Sequence, residues 1–188
     1  QGEFAESVEQ ALNYAMLLDC ERLHCMAGLR PDGVGEAELE ATYIANLRHA
    51  ADRFATIGAT VMIEPINSRI DMPGYWLDGI DQGFRLLEAV DRSNVKLQYD
   101  IYHAQIMAGD LARTLEANLH RIGHIQIADN PGRHEPGTGE INYPFLFERL
   151  DRLGYDGWVG CEYKPLTTTE AGLGWLPPHH KGAACGAK

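Results

Sequence analysis

The sequence predicts an α/β fold with parallel strands, about five βα units of a partial (β/α)8 barrel, from three observations. Helix-like and strand-like apolar patterns alternate, the turns between them are short and marked by Gly or Pro, and polar residues recur at the carboxyl ends of the strand-like runs. Length sets the bound: 188 residues suffice for one domain with a real core, whereas a complete barrel takes roughly 250.

Residues 4–19 place Phe4, Val8, Leu12, Ala15 and Met16 at helical spacing. A short strand is expected over 22–27, then a Gly/Pro turn region over 28–35. A long helix follows over 36–57 and stops at Gly58, a natural left-handed cap. The run Thr60-Val61-Met62-Ile63-Glu64 is the second strand; Pro65 closes it, lacking a ladder N–H and forcing Glu64 to be extended. Further helices are expected over 77–90, 110–121 and 144–153, and further strands over 96–101, 124–128 and 158–163. Residues 1–176 then make up the incomplete barrel domain, and the tail 177–188, rich in Pro, Gly, His and Ala, reads as disordered.

Composition narrows the function. A net charge of −11 excludes nucleic acid and anionic membrane as main partners, since both are polyanions. No apolar run approaches the ~20 residues of a membrane span, and the start lacks the basic and apolar regions of a signal peptide. The chain opens inside a helix-like pattern and without Met, so a segment upstream is expected. Cys20, Cys25, Cys161 and Cys185 form no C-x-x-C pair and are expected as buried, reduced thiols, which implies a reducing compartment and cytoplasmic placement. No dinucleotide or P-loop motif occurs; the glycines at Gly132, Gly137 and Gly139 match neither.

Strand parity points to a site. Glu64 shares a face with Met62 and Thr60, Asp100 with Gln98 and Lys96, Gln126 with His124, and Glu162 with Gly160 and Trp158. The opposite faces are apolar and suit a helical cover. Glu64, Asp100, Gln126 and Glu162 therefore converge at the carboxyl rim, where barrel enzymes keep their active sites. Three carboxylates gathered there repel one another unless a cation neutralises them, and oxygen ligands suit a hard divalent ion, Mg²⁺ or Mn²⁺. Any one such acid alone is usually solvated or caps the next helix; position and parity acting together carry the inference. His24 reads as a satisfied strand residue, and His179 and His180 as inert in the tail.

The strings IEPIN (63–67), QYDIYH (98–103), GHIQIADNPGRHEPGTGEINY (123–143) and GCEYKP (160–165) closely resemble the hydroxypyruvate isomerase family, within the xylose-isomerase-like superfamily of TIM barrels. The resemblance runs over about 4–176 and implies interconversion of hydroxypyruvate and tartronate semialdehyde, a small hydroxy/oxo acid substrate. It puts the metal pattern on Glu64, Asp100, Gln126 and Glu162, and the acid–base pair on Glu64 and Glu162. The D-x-x-H pattern of related ketose epimerases falls on Asp100 and His103 and implies substrate contact by His103, while Gln126 stands where those epimerases carry His. Arg133 with Lys164 could hold a substrate carboxylate, and Asn67 is either a turn residue or a substrate contact.

Aligned this way, the chain begins in the helix before the family's fourth strand. Its outer strands would then be open edges that a partner or a homo-oligomer covers. The alternatives are a 2-oxo-tetronate isomerase, a ketose 3-epimerase, or a catalytically impaired barrel fragment with a binding role. Endonuclease relatives use more His ligands and a basic groove, which this acidic sequence lacks.

Overall fold

The computed structural model describes residues 2–176. Helix α1 (Gly2–Leu18) leads into β1 (Arg22–His24), α2 (Glu36–Phe54), β2 (Thr60–Ile63) and α3 (Ile80–Val90). There follow β3 (Val95–Asp100), α4 (Ile101–Met107), α5 (Leu111–Asn118), β4 (Ile122–Ile127), α6 (Tyr143–Arg152) and β5 (Val159–Cys161). The five strands form one sheet in the order β1-β2-β3-β4-β5, and every neighbouring pair is parallel. Sequential parallel strands with helical crossovers make the curled half of a (β/α)8 barrel, as the alternation predicts.

The core lies between the sheet and its helices. Val61, Ile63, Leu97, Tyr99, Ile125 and Ile127 are fully buried on the outer face of the strands, against Leu47, Ala51, Leu86 and Leu115 of the helices. Close approach is built into α3. A Cβ on Gly83 would stand 2.7 Å from the Leu97 side chain and 3.1 Å from Pro65, so a larger residue would force Leu97 to move where this helix sits directly behind the end of β2. Gly58, at φ 72°, caps the turn after α2 in the left-handed region, as expected.

Three sequence expectations change. The segment after β3 is a helix, α4, with Asp100 as its N-cap accepting from the N–H groups of Tyr102 and His103; the sequence expectation placed the next helix only from 110. The strands are shorter than expected at both edges, because each outer strand has one neighbour to pair with. Cys20 and Cys161 are exposed and Cys25 is half-buried, so burial of the thiols fails at these edge positions, although all three are free. Cys185 and the tail 177–188, including His179 and His180, lie outside the described residues. No helix among the described residues is long and apolar enough to cross a membrane.

Candidate active site

The barrel rim is built by the residues that end the strands. Glu64 stands one residue past β2 and is 4% exposed. One of its carboxyl oxygens accepts from Gln98 Nε2 at 2.8 Å and lies 3.6 Å from His24 Nδ1; the other, Oε1, is buried with no hydrogen-bond partner among the described residues. Gln98 also donates to Gln126 Oε1 at 2.6 Å, so β2, β3 and β4 are tied together across the floor of the site. Asp100 divides its work between two oxygens. Oδ1 caps α4, at 2.8 Å from Tyr102 N and 3.3 Å from His103 N, while Oδ2 is buried and unpartnered among the described residues.

The opposite side is carried by loops. Glu162 follows β5, with its side chain 52% exposed and its Oε2 accepting from Arg133 Nη2 at 3.1 Å. Arg133 also donates to Asp71 Oδ1 at 2.9 Å, and its guanidinium lies 5.1 Å from the centre of the Tyr102 ring. It reaches this position from a loop organised around buried Asp129. One oxygen of Asp129 accepts from the N–H groups of Gly137 and Gly139 at 2.8 and 3.0 Å; the other accepts from Asn130 and Ile141 at 3.0 and 3.1 Å. Gly137 and Gly139, two of the glycines that match no phosphate motif, thus bring backbone N–H groups onto a carboxylate of the chain itself.

Each predicted residue can now be located. Glu64, Asp100, His103 and Glu162 meet, with ligand atoms within 4.8 Å of one another. Gln126, half-buried, joins them through Gln98, and Arg133 closes the outer side. Asn67 is completely buried behind His103. Lys164 is exposed and meets the site through its main chain, donating to Arg133 O at 2.8 Å. Sequence reasoning passed over Asp71, the anchor of Arg133, and Gln98, the bridge between Glu64 and Gln126. Parity could have found Gln98, which shares the face of Asp100; nothing in the loop around Asp71 has a period to read.

Electrostatics separates the acids. Burial, reinforced by the charges of Asp100 and Glu162, pushes Glu64 up to about 8, so it holds a proton at neutral pH when no cation is bound. Burial likewise raises Asp100 to about 6, against the pull of the N–H groups that it caps. Burial, with Arg133 nearby, lowers His103 to about 4 and keeps the ring neutral. For Asp71, hydrogen bonds from Asn67, Tyr102 and Arg133 outweigh burial and hold the carboxyl below its ordinary value. A buried, oxygen-rich cluster with two unpartnered carboxylate oxygens fits a hard divalent cation: Glu64 Oε1 and Asp100 Oδ2 face inward with their lone pairs free.

A half-barrel of parallel strands with an acidic cluster at its carboxyl rim carries that cluster where barrel enzymes keep their active sites. The chain belongs to the xylose isomerase-like TIM barrel family, whose model matches residues 1–179. It is 51% identical over 179 residues to a 2-oxo-tetronate isomerase of Cupriavidus necator, covering 95% of this chain and 68% of that protein. It is 48% identical over 177 residues to the hydroxypyruvate isomerase of Escherichia coli, covering 94% of this chain and 68% of that one. A solved structure from Brucella melitensis, described as an AP endonuclease of family 2, superposes with a TM-score of 0.90 at 48% identity, over 93% of this chain and 67% of that one. The chain thus spans about two thirds of the length of these relatives.

Proposed function

We propose that the chain carries the active site of an isomerase that interconverts hydroxypyruvate and tartronate semialdehyde. The observation that carries this reading is the pairing of two unlike glutamates, one buried and proton-bearing, one half-exposed and ion-paired, with carboxyl oxygens inside a 4.8 Å cluster. Glu162 takes the proton from C3, the hydroxyl-bearing carbon of hydroxypyruvate, and the electron pair moves into an enediolate across C2 and C3. Glu64 delivers a proton to C2, the proton on O3 passes to O2, and the aldehyde at C3 results. Arg133, held by Asp71, keeps Glu162 in place and supports the developing negative charge, with Lys164 at the open side to meet the substrate carboxylate. His103 contributes a neutral N–H donor toward a substrate oxygen.

Mg²⁺ or Mn²⁺, held by Glu64, Asp100 and Glu162 with Gln126 beside them, would neutralise the carboxylates and polarise the carbonyl when bound. The reading places the chain in the cytoplasm, where its free thiols stay reduced. Met26, just past β1, and Trp158, just before β5, are exposed and support self-association as a way of covering the two outer strands. The net charge of −11 argues against a nucleic-acid substrate, whatever the name of the Brucella relative.

A second substrate has support of its own: the Cupriavidus relative is named for 2-oxo-tetronate. The test is to follow turnover of both acids by the purified chain, with and without Mg²⁺ or Mn²⁺, using a coupled reductase for tartronate semialdehyde. Turnover of hydroxypyruvate that disappears in Glu64→Gln and Glu162→Gln supports the pair. A folded chain that turns over neither acid sinks the reading.

A further inference from the structure

Asn67 lies three residues beyond Glu64 and is 0% exposed. Its amide has two N–H groups and two acceptor lone pairs, and protein groups take all four. Oδ1 accepts from the backbone N–H groups of Ile70 and Asp71, each at 3.0 Å. Nδ2 donates to Asp71 Oδ2 at 2.6 Å and meets His103 Nδ1 at 2.7 Å. These partners fix which way the amide points. Turned over, its NH₂ would face two backbone donors and its oxygen would face a carboxylate, so the three contacts to Ile70 N, Asp71 N and Asp71 Oδ2 would fail together. Only the one to His103 could survive, by a change of tautomer. No hydrogen-bonding capacity remains for a substrate.

The orientation of the amide decides the chemistry of His103. A donor 2.7 Å from Nδ1 requires that nitrogen to be the acceptor, so the ring proton sits on Nε2. Nε2 faces the unpartnered Oδ2 of Asp100 at 3.9 Å, beyond hydrogen-bond reach. A nitrogen that carries a proton cannot ligate a cation, although His103 has the position to join the acidic cluster. The gap between the two groups suits an oxygen that accepts from His103.

We propose that Asn67 is a positioning residue that locks His103 in its Nε2–H tautomer, making it a hydrogen-bond donor to the reacting oxygen and withholding it from any bound cation. The donor role rests on the isomerase reading; the tautomer does not. Asn67 also ties this ring to Asp71, and through Asp71 to Arg133 and Glu162. One amide therefore sets both a neutral donor and the anchor of the charged side.

The closing experiment reads the tautomer directly. Imidazole ¹⁵N–¹H long-range spectra of the whole chain, in the metal-free state and with His103 assigned by its loss in His103→Asn, distinguish Nε2–H from Nδ1–H. The expected result is Nε2–H in the unaltered chain. In Asn67→Asp the new carboxylate accepts from the ring, moving the proton to Nδ1, and kcat falls about 10- to 100-fold. Asn67→Ser, which removes the repulsion between an aspartate and Asp71, releases the lock and gives mixed tautomers with an intermediate kcat. An Nδ1–H ring in the unaltered chain overturns the proposal, as does a tautomer that ignores both substitutions. If the spectra come out as expected and the unaltered chain turns over neither acid, the isomerase reading and the donor role fall and the lock stands.

Discussion

Glu64 and Glu162 each stand one residue past the end of a parallel strand, on the face that points into the half-barrel, and they live in different media. Glu64 ends a central strand between β1 and β3, 4% exposed, with amides beside it and an unpartnered oxygen. Glu162 ends the outer strand, half in solvent and paired with a guanidinium. The same residue type at the same structural position becomes a proton carrier in one case and an ion-paired carboxylate in the other. Position in the sheet, through burial, assigns the role. The same contrast governs packing: β2–β4 hold fully buried aliphatics, whereas Trp158 beside β5 is 68% exposed.

The largest effects should come from erasing the unlike pair. Glu64→Gln and Glu162→Gln each remove one proton-transfer group and should lower turnover by about 10²- to 10⁴-fold, with the fold unchanged by circular dichroism. If one variant keeps full rate, that glutamate does not transfer a proton. Next in size is the contrast in packing. Leu97→Ala, at 0% exposure on β3, should cost about 2–5 kcal/mol through the cavity it leaves. Trp158→Ala, on the outer edge, should stay within about 0.5 kcal/mol. Chemical denaturation compares the two, and equal losses would show the edge to be as well packed as the centre.

A smaller effect tests how the outer side is held. Asp129→Asn leaves one acceptor oxygen where two serve four backbone N–H groups, which should cost about 1–3 kcal/mol. The loop bearing Arg133 should loosen, so that KM for the acid rises while the buried Glu64 keeps its environment. Amide exchange over residues 129–141 measures the loosening, and unchanged protection there would remove Asp129 from this role.

How far the sequence reaches depends on the kind of signal. Pro65 and the alternation in TVMIE put Glu64 on the right face of the right strand, and the same parity put Asp100, Gln126 and Glu162 beside it, because a strand's period of two survives folding unchanged. The helix α4 is not legible because seven residues are too few to show a helical stripe; its one signal is Asp100, a cap residue that serves the site as well. Burial of the thiols failed because whether a strand lies at the edge of a sheet is a property of the assembled order, which composition does not encode. Asp71 and the buried side of Asn67 were out of reach for a related reason. Their partners Arg133 and His103 are 62 and 36 residues away in the chain, and a loop fixes such meetings without any period.

The finest test sets the buried carboxyls against the solvent by pH alone. Glu64 keeps its proton in the folded chain up to about 8, whereas the unfolded chain gives it up near 4.5, so the folded state binds more protons across that interval and stability falls as pH rises through it. Asp100, raised from 3.8 to about 6, adds to the fall over its own range. His103 opposes both: its folded value of about 4 lies below the ordinary 6.5, so stability gains with pH between those values and no further. Above pH 6.5 the titration of Glu64 is left as the dominant contribution within the site. The melting temperature of the metal-free chain should therefore decline from pH 6.5 to 8, and Glu64→Gln should flatten that decline. Mg²⁺ or Mn²⁺ should reverse it, since a cation favours the ionised carboxylates and binds better as they lose their protons. A decline that persists unchanged in Glu64→Gln would assign the effect to another group and remove the proton from the buried member of the pair.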